Sequence, residues 1–120
     1  MDNTITISDL KKIVQNFCEE RDWDQFHNPK DLAIGISTEA NELLDIFRFK
    51  STEQMLEMFN NDSTKTHIEE EIADVLFFVL RFAQMNNLDL EACNKNKLHK
   101  NAEKYSVEKS KGKNLKYTEM

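Results

Sequence analysis

Three residues in 120 are glycine or proline: Gly35, Gly112 and Pro29. Average usage of roughly 12 % would put about 14 in a chain of this length. Sandwiches and barrels need a turn signal about every 8–12 residues, so a chain this poor in turn-formers is not all-β. The apolar residues agree with a helical reading. Leu10, Ile13, Val14, Phe17 and Cys18 recur at helical spacing, which predicts a first helix over about Ser8 to Arg21 with Ser8 as its N-cap. Asp22 to Lys30, holding Trp23, His27 and Pro29, reads as an ordered loop, and Pro29 suits the first turn of the next helix. That second helix is expected to reach about Phe49, with Leu32, Ile36, Ala40, Leu43 and Phe47 on one stripe. Ser51 or Thr52 caps a short helix to Phe59, and Asn60 to Ser63 breaks the pattern. A third long helix follows from about Thr64 to Met85, ended by Asn86-Asn87, and a fourth runs from near Asp89 to about Tyr105. Ser106 to Met120 is a polar, lysine-rich tail, expected to lie against something or to be partly mobile.

Helices joined by short loops, with no strands, give an all-α, four-helix-bundle-like fold in a single domain over residues 1–120. Between Ile72 and Ala83 only Asp74 and Arg81 are polar. A helix apolar nearly all round is buried on every side, and a 120-residue monomer has trouble covering it. A homo-oligomer whose subunits share this helix is therefore expected.

Charge and composition exclude several functions. The formal net charge of −6 argues against a nucleic-acid groove. Cys18 and Cys93 are too few for a zinc site of their own and do not form a disulfide framework. The longest apolar run, Val75 to Leu80, is far short of a membrane span. The opening MDNTITIS has neither a basic n-region nor an apolar h-region, so the expected location is cytoplasmic.

The chemistry is in the acids. Glu39 and Glu42 lie three apart on the second helix, and Glu71 and Asp74 lie three apart on the third long one. Residues at i and i+3 are neighbours on a helix surface, so each pair presents two carboxylates together. At about 100° per residue, Glu71, Asp74 and Phe78 fall within roughly 60° of one another. A solvated face accounts for Glu39 and Glu42, and a favourable helix start accounts for Glu71. Asp74 fits neither explanation, because its neighbours are apolar and an isolated buried carboxylate is costly. Two such pairs on antiparallel helices can meet as a four-carboxylate cluster. Mutual repulsion would make that cluster unstable without a cation. Oxygen-only ligands select a hard divalent ion, Mg²⁺ or Mn²⁺, before zinc. A di-iron centre is disfavoured, because none of His27, His67 and His99 completes a Glu-x-x-His motif.

Lys97, Asn101, Lys104 and Tyr105 share one face of the fourth long helix. Two lysines, an amide and a phenol suit phosphate oxygens, although a plain solvated basic face has the same spacing. Carboxylates, a magnesium ion and lysines together are a common means of cleaving a polyphosphate. Neither glycine belongs to a P-loop.

With these residues in hand, the sequence resembles the all-α nucleoside triphosphate pyrophosphohydrolases of the MazG type. The signature of that family, E-x-x-E, a spacer and E-x-x-D, matches Glu39, Glu42, Glu71 and Asp74 with residues 43 to 70 between the pairs. FCEERDWDQFHNPKDL, STEANELLDIFRFK, EEEIADVLFFVL and KSKGKNLKYTEM are all similar to the dCTP pyrophosphatase branch. The similarity spans about residues 10 to 120. It implies Mg²⁺-dependent hydrolysis of a (deoxy)nucleoside triphosphate, dCTP or a modified dCTP, to the monophosphate and pyrophosphate, by a homo-oligomer that is usually a tetramer. Glu39, Glu42, Glu71 and Asp74 match metal ligands; Lys97, Asn101 and Tyr105 match phosphate-holding residues; Trp23 and His27 match a loop that closes over the nucleotide. Phe49 and Phe78 occupy base-pocket positions where relatives carry Trp and Tyr, so the stacking faces survive but an N–H and an O–H are lost. Ser106 stands where the family usually has proline. Residue by residue, Trp23 also reads as a core or loop anchor, His27 as a brace for the loop, and both phenylalanines as core packing. A dUTP-type phosphohydrolase of the same superfamily and a non-enzymatic helical interaction module are the competing functions.

Overall fold

A computed structural model describes all 120 residues, and no strand occurs in it. The chain forms two compact units, Met1–Asn87 and Leu88–Met120.

The first unit contains α1 (Ile7–Glu20), a 3₁₀ turn (Asp24–Phe26), α2 (Pro29–Phe47), α3 (Thr52–Met58) and α4 (Asp62–Met85). Side-chain caps fix the helix starts. Thr6, not Ser8, caps α1: its hydroxyl accepts the Asp9 N–H at 3.1 Å while the Asp9 carboxylate accepts the Thr6 N–H at 3.0 Å. Asn28 caps α2 ahead of Pro29, and Ser51 caps α3 through a reciprocal box with Gln54. Asn61 caps α4, which therefore begins two residues before the expected Thr64.

The helix ends follow from the scarcity of glycine. The left-handed residue that commonly stops a helix is Asp22 after α1, Phe49 after α2 and Asn87 after α4, with φ of 56°, 64° and 54°. Asp and Asn tolerate this conformation, whereas Phe pays a steric cost. Phe49 ends α2 two residues before the sequence pattern does, at Phe47.

α4 packs mainly on α2 and also on α1. Along α4 the residues Glu71, Phe78 and Arg81 meet Glu42, then Gly35, then the loop before α2, so α2 and α4 run antiparallel. The buried apolar residues are Cys18, Leu32, Ile68, Leu80 and Ala83. α1 and α2 leave one side of α4 uncovered, in line with the expectation that a single chain has trouble covering it. Ile72 and Leu76 are 51 % and 46 % exposed, and with Ala73, Val75 and Val79 they line an open apolar cavity of about 380 Å³. Asp74 is exposed too, because α2 and α1 cover only one side of the helix.

The second unit contains α5 (Leu90–Lys104), α6 (Val107–Ser110) and a 3₁₀ turn at Tyr117–Glu119. Asp89 caps α5, as the pattern predicts. The polar tail returns to α5: the Tyr117 N–H donates to the Tyr105 hydroxyl at 3.2 Å, and the two rings meet edge to face at 5.9 Å. No helix is long and apolar enough to cross a membrane.

Candidate active site

Antiparallel packing of α2 on α4 brings Glu39, Glu42 and Glu71 together, with one carboxylate oxygen of each within 4.8 Å of the others. One oxygen of Glu39 and one of Glu71 (Oε2 in each) are buried without a hydrogen-bond partner. Buried unpaired carboxylate oxygens are costly, and a bound cation is a standard way of satisfying them. Burial pushes the Glu39 carboxyl up to about 7, helped by a hydrogen bond shared with Glu42 and by the charges of Glu42, Asp74 and Glu71. Burial, the hydrogen bond with Glu42, and the charges of Glu42 and Asp74 also raise Glu71, against the opposing pull of His67. Asp74 thus acts on the cluster through its charge, while its carboxylate lies outside the tight group of three. An all-oxygen set with orphaned buried oxygens and raised proton affinity fits a hard divalent cation.

His67 and Asp45 were not singled out by sequence reasoning. His67 Nε2 lies 3.4 Å from Glu71 Oε1, and His67 and Asp45 line a cavity of about 300 Å³ with Glu42, Ile46 and Glu71. Helical spacing could have found them, since each stands one turn or less from a cluster acid.

Phe78 lies one turn along α4 from Asp74, against the Cα of Gly35 on α2. Its ring also meets Phe77 edge to face at 5.2 Å. Gly35 was missed as well; a lone glycine inside a helix commonly marks such a close approach. Phe49 is 88 % exposed, with the Arg48 guanidinium 4.6 Å from its ring centroid.

Trp23 and His27 sit on the α1–α2 loop with their rings 6.1 Å apart, and Trp23 also packs edge-on against Phe17 at 5.6 Å. Arg81, only 1 % exposed, donates from Nε to His27 Nδ1 at 2.9 Å, from Nη1 to Gln84 Oε1 at 2.6 Å and from Nη2 to Asp24 Oδ1. The bracing role read for His27 is therefore realised. Burial and the adjacent Arg81 charge hold the His27 imidazolium below its ordinary pKa.

In the second unit, Lys97 and Asn101 stand one turn apart on α5. Lys104 Nζ lies 4.9 Å from the Tyr117 ring centroid. Because the Tyr105 hydroxyl accepts from the Tyr117 N–H, its own proton remains available to an anion. Residues 88–120 carry eight lysines against five acids, whereas residues 1–87 carry eight cations against 17 acids.

The all-helical fold that carries these acids recurs among solved structures. A pyrophosphatase from Archaeoglobus fulgidus superimposes with a TM-score of 0.76 and 36 % identity, covering 83 % of this chain and 92 % of that one. The chain belongs to the MazG-like family, whose sequence pattern matches residues 34–120. It is 30 % identical to dCTP pyrophosphatase 1 of Rattus norvegicus over 115 residues, 96 % of this chain and 68 % of that protein. Over the same length it is 28 % identical to dCTP pyrophosphatase 1 of Homo sapiens.

Proposed function

We propose that this chain, a nucleoside triphosphate pyrophosphatase, hydrolyses dCTP or a modified dCTP to the monophosphate and pyrophosphate with the help of Mg²⁺. The observation that carries the cation requirement is the cluster of Glu39, Glu42 and Glu71 with its unpartnered buried oxygens. Glu39, Glu42, Glu71 and Asp74 hold the ion, with Mn²⁺ as a substitute of the same hard class. When bound, the ion neutralises phosphate charge and makes a water more acidic. The carboxylates orient the attacking water. Lys97, Asn101, Lys104 and Tyr105 bind the phosphates and offset charge on the departing pyrophosphate. Trp23, His27, Phe49 and Phe78 hold the nucleoside. The relatives' names support cytosine as the base, and the exposed ring of Phe49 offers a stacking face.

We assign the open apolar side of α4 to a homo-oligomer contact, with a tetramer as the expected assembly and the cytoplasm as its location. Light scattering that finds only monomer at micromolar concentration contradicts that assembly. The catalytic reading is tested with a panel of canonical and 5-modified dNTPs, with Mg²⁺ and then with EDTA, assayed for pyrophosphate. Fastest release from cytosine nucleotides, abolished by the chelator, supports it. Release of orthophosphate, or full activity in EDTA, refutes it.

A further inference from the structure

The one cation buried in the first unit lies outside the acid cluster. Arg81 is 1 % exposed, yet all three of its partners are mapped: His27 Nδ1, Asp24 Oδ1 and Gln84 Oε1. Two of the three belong to the α1–α2 loop, and the third is on α4 itself, one turn from Arg81. A guanidinium carries its donors in a rigid planar fork, so three simultaneous bonds fix the partners' relative positions. The loop's other anchors are local or lie on α1: Gln25 bonds to Asp22 within the loop, the Trp23 N–H donates to the Cys18 carbonyl at 3.0 Å, and the Trp23 ring meets Phe17 and His27.

The bond to His27 carries chemical information. Arg81 Nε–H can only donate, so His27 Nδ1 must be the unprotonated nitrogen and Nε2 the one bearing hydrogen. Protonating the ring would set an Nδ1–H against an Arg N–H and place two cations side by side. The groups facing His27 are Arg81 from α4, and Asp24 and Trp23 from the loop, with Cys18 of α1 within the field of the same pair. Only Asp24 favours protonation, and its carboxylate is already bonded to Arg81.

We propose that Arg81 is a positioning residue that locks the Trp23–His27 loop onto the helix bearing Glu71 and Asp74, and fixes His27 as a neutral Nε2–H donor for an acceptor oxygen of the bound nucleotide. The proposal rests on the reading that this loop contacts the nucleotide.

The tautomer is measured on the wild-type protein without nucleotide, by ¹⁵N-edited NMR of the imidazole. Expected is an unprotonated Nδ1, an Nε2–H, and titration below the ordinary 6.5. An Nδ1–H tautomer overturns the proposal. Arg81→Lys, which keeps the charge but cannot reach three partners, and Arg81→Met, which keeps only the stem, are then compared by hydrogen exchange and steady-state kinetics. In both, loop amides 22–28 should exchange at least about tenfold faster while those around Glu39 and Glu71 stay protected, and KM should rise about tenfold with a smaller change in kcat, the scale of losing a charged hydrogen bond. Unchanged loop exchange, or a freed loop with unchanged KM, overturns it. Absence of pyrophosphate release by the wild type indicts the functional reading instead, and the NMR result is independent of that outcome.

Discussion

A methyl group added at Gly35 would sit 2.5 Å from Cδ1 and Cε1 of Phe78 and 2.8 Å from Cζ. Ordinary carbon–carbon contact begins near about 3.5 Å, so in Gly35→Ala the ring must retreat by about 1 Å or α2 must lift from α4. Overpacking of this kind costs about 1–3 kcal/mol. Alanine is better than glycine inside a helix by about 1 kcal/mol, which offsets part of that cost. The net expectation is a destabilisation between about 0 and 2 kcal/mol, too broad to interpret alone. A double-mutant cycle separates the two contributions. In a Phe78→Ala background the ring is gone, and Gly35→Ala should stabilise by about 1 kcal/mol through helix propensity. Urea unfolding of the four proteins, followed by far-UV circular dichroism, should therefore give a coupling of about 1–3 kcal/mol. Equal stabilisation in both backgrounds would refute the direct packing of Phe78 on Gly35. Because Phe78 lies one turn from Asp74, the displaced ring should also raise KM for the nucleotide more than it lowers kcat.

Asp74→Asn should lower kcat by a factor on the order of 10² or more at saturating Mg²⁺ while leaving the fold intact, since the side chain is exposed and removal of its charge relieves repulsion. Near-wild-type turnover removes Asp74 from the site. Folded Glu39 keeps its proton up to about 7, whereas its unfolded carboxyl releases it near 4.5, so its contribution to stability is present below 4.5 and is lost as pH rises through 7. His27 slopes the other way, because its lowered pKa costs stability as pH falls below 6.5. Melting in cation-free buffer should consequently fall more steeply with pH in the wild type than in Glu39→Gln, and saturating Mg²⁺ should abolish the difference; identical slopes without metal deny Glu39 its raised proton affinity. Phe49→Gly should stabilise the protein by about 1 kcal/mol by removing the left-handed strain, and should raise KM if the ring stacks on the base; lower stability on chemical denaturation contradicts the strain.

Some helix starts were legible because caps are local: Pro29, Ser51 and Asp89 announce themselves by residue type and position, whereas Thr6 and Asn61 cap α1 and α4 ahead of the expected Ser8 and Thr64. The end of α2 was not, since the usual signal is glycine and here Phe49 takes the left-handed position. The i, i+3 spacing put each acid pair on one face of its helix, so that the two pairs could meet; Glu39, Glu42 and Glu71 do, while Asp74 of the expected four stays outside the tight group. The exposure of Asp74 was hidden, because the apolar content of α4 does not say which side its own chain covers. Arg81 and Gly35 were visible only as exceptions, a lone cation among apolar residues and a lone glycine within a helix. Their meaning depends on partners 54 residues away for His27 and on Phe78 across the helix pair. Tyr117 had no local signal, for only the returning tail brings its N–H to Tyr105.

The central claim, that the acid cluster drives cleavage of a nucleoside triphosphate into monophosphate and pyrophosphate, is tested most directly by ³¹P NMR of dCTP turnover with Mg²⁺, run beside Glu71→Gln. The expected spectra show dCMP and pyrophosphate growing together from the wild type, no dCDP, and a loss of rate on the order of 10² or more in the variant. The appearance of dCDP with orthophosphate, or an undiminished rate in Glu71→Gln, would contradict it.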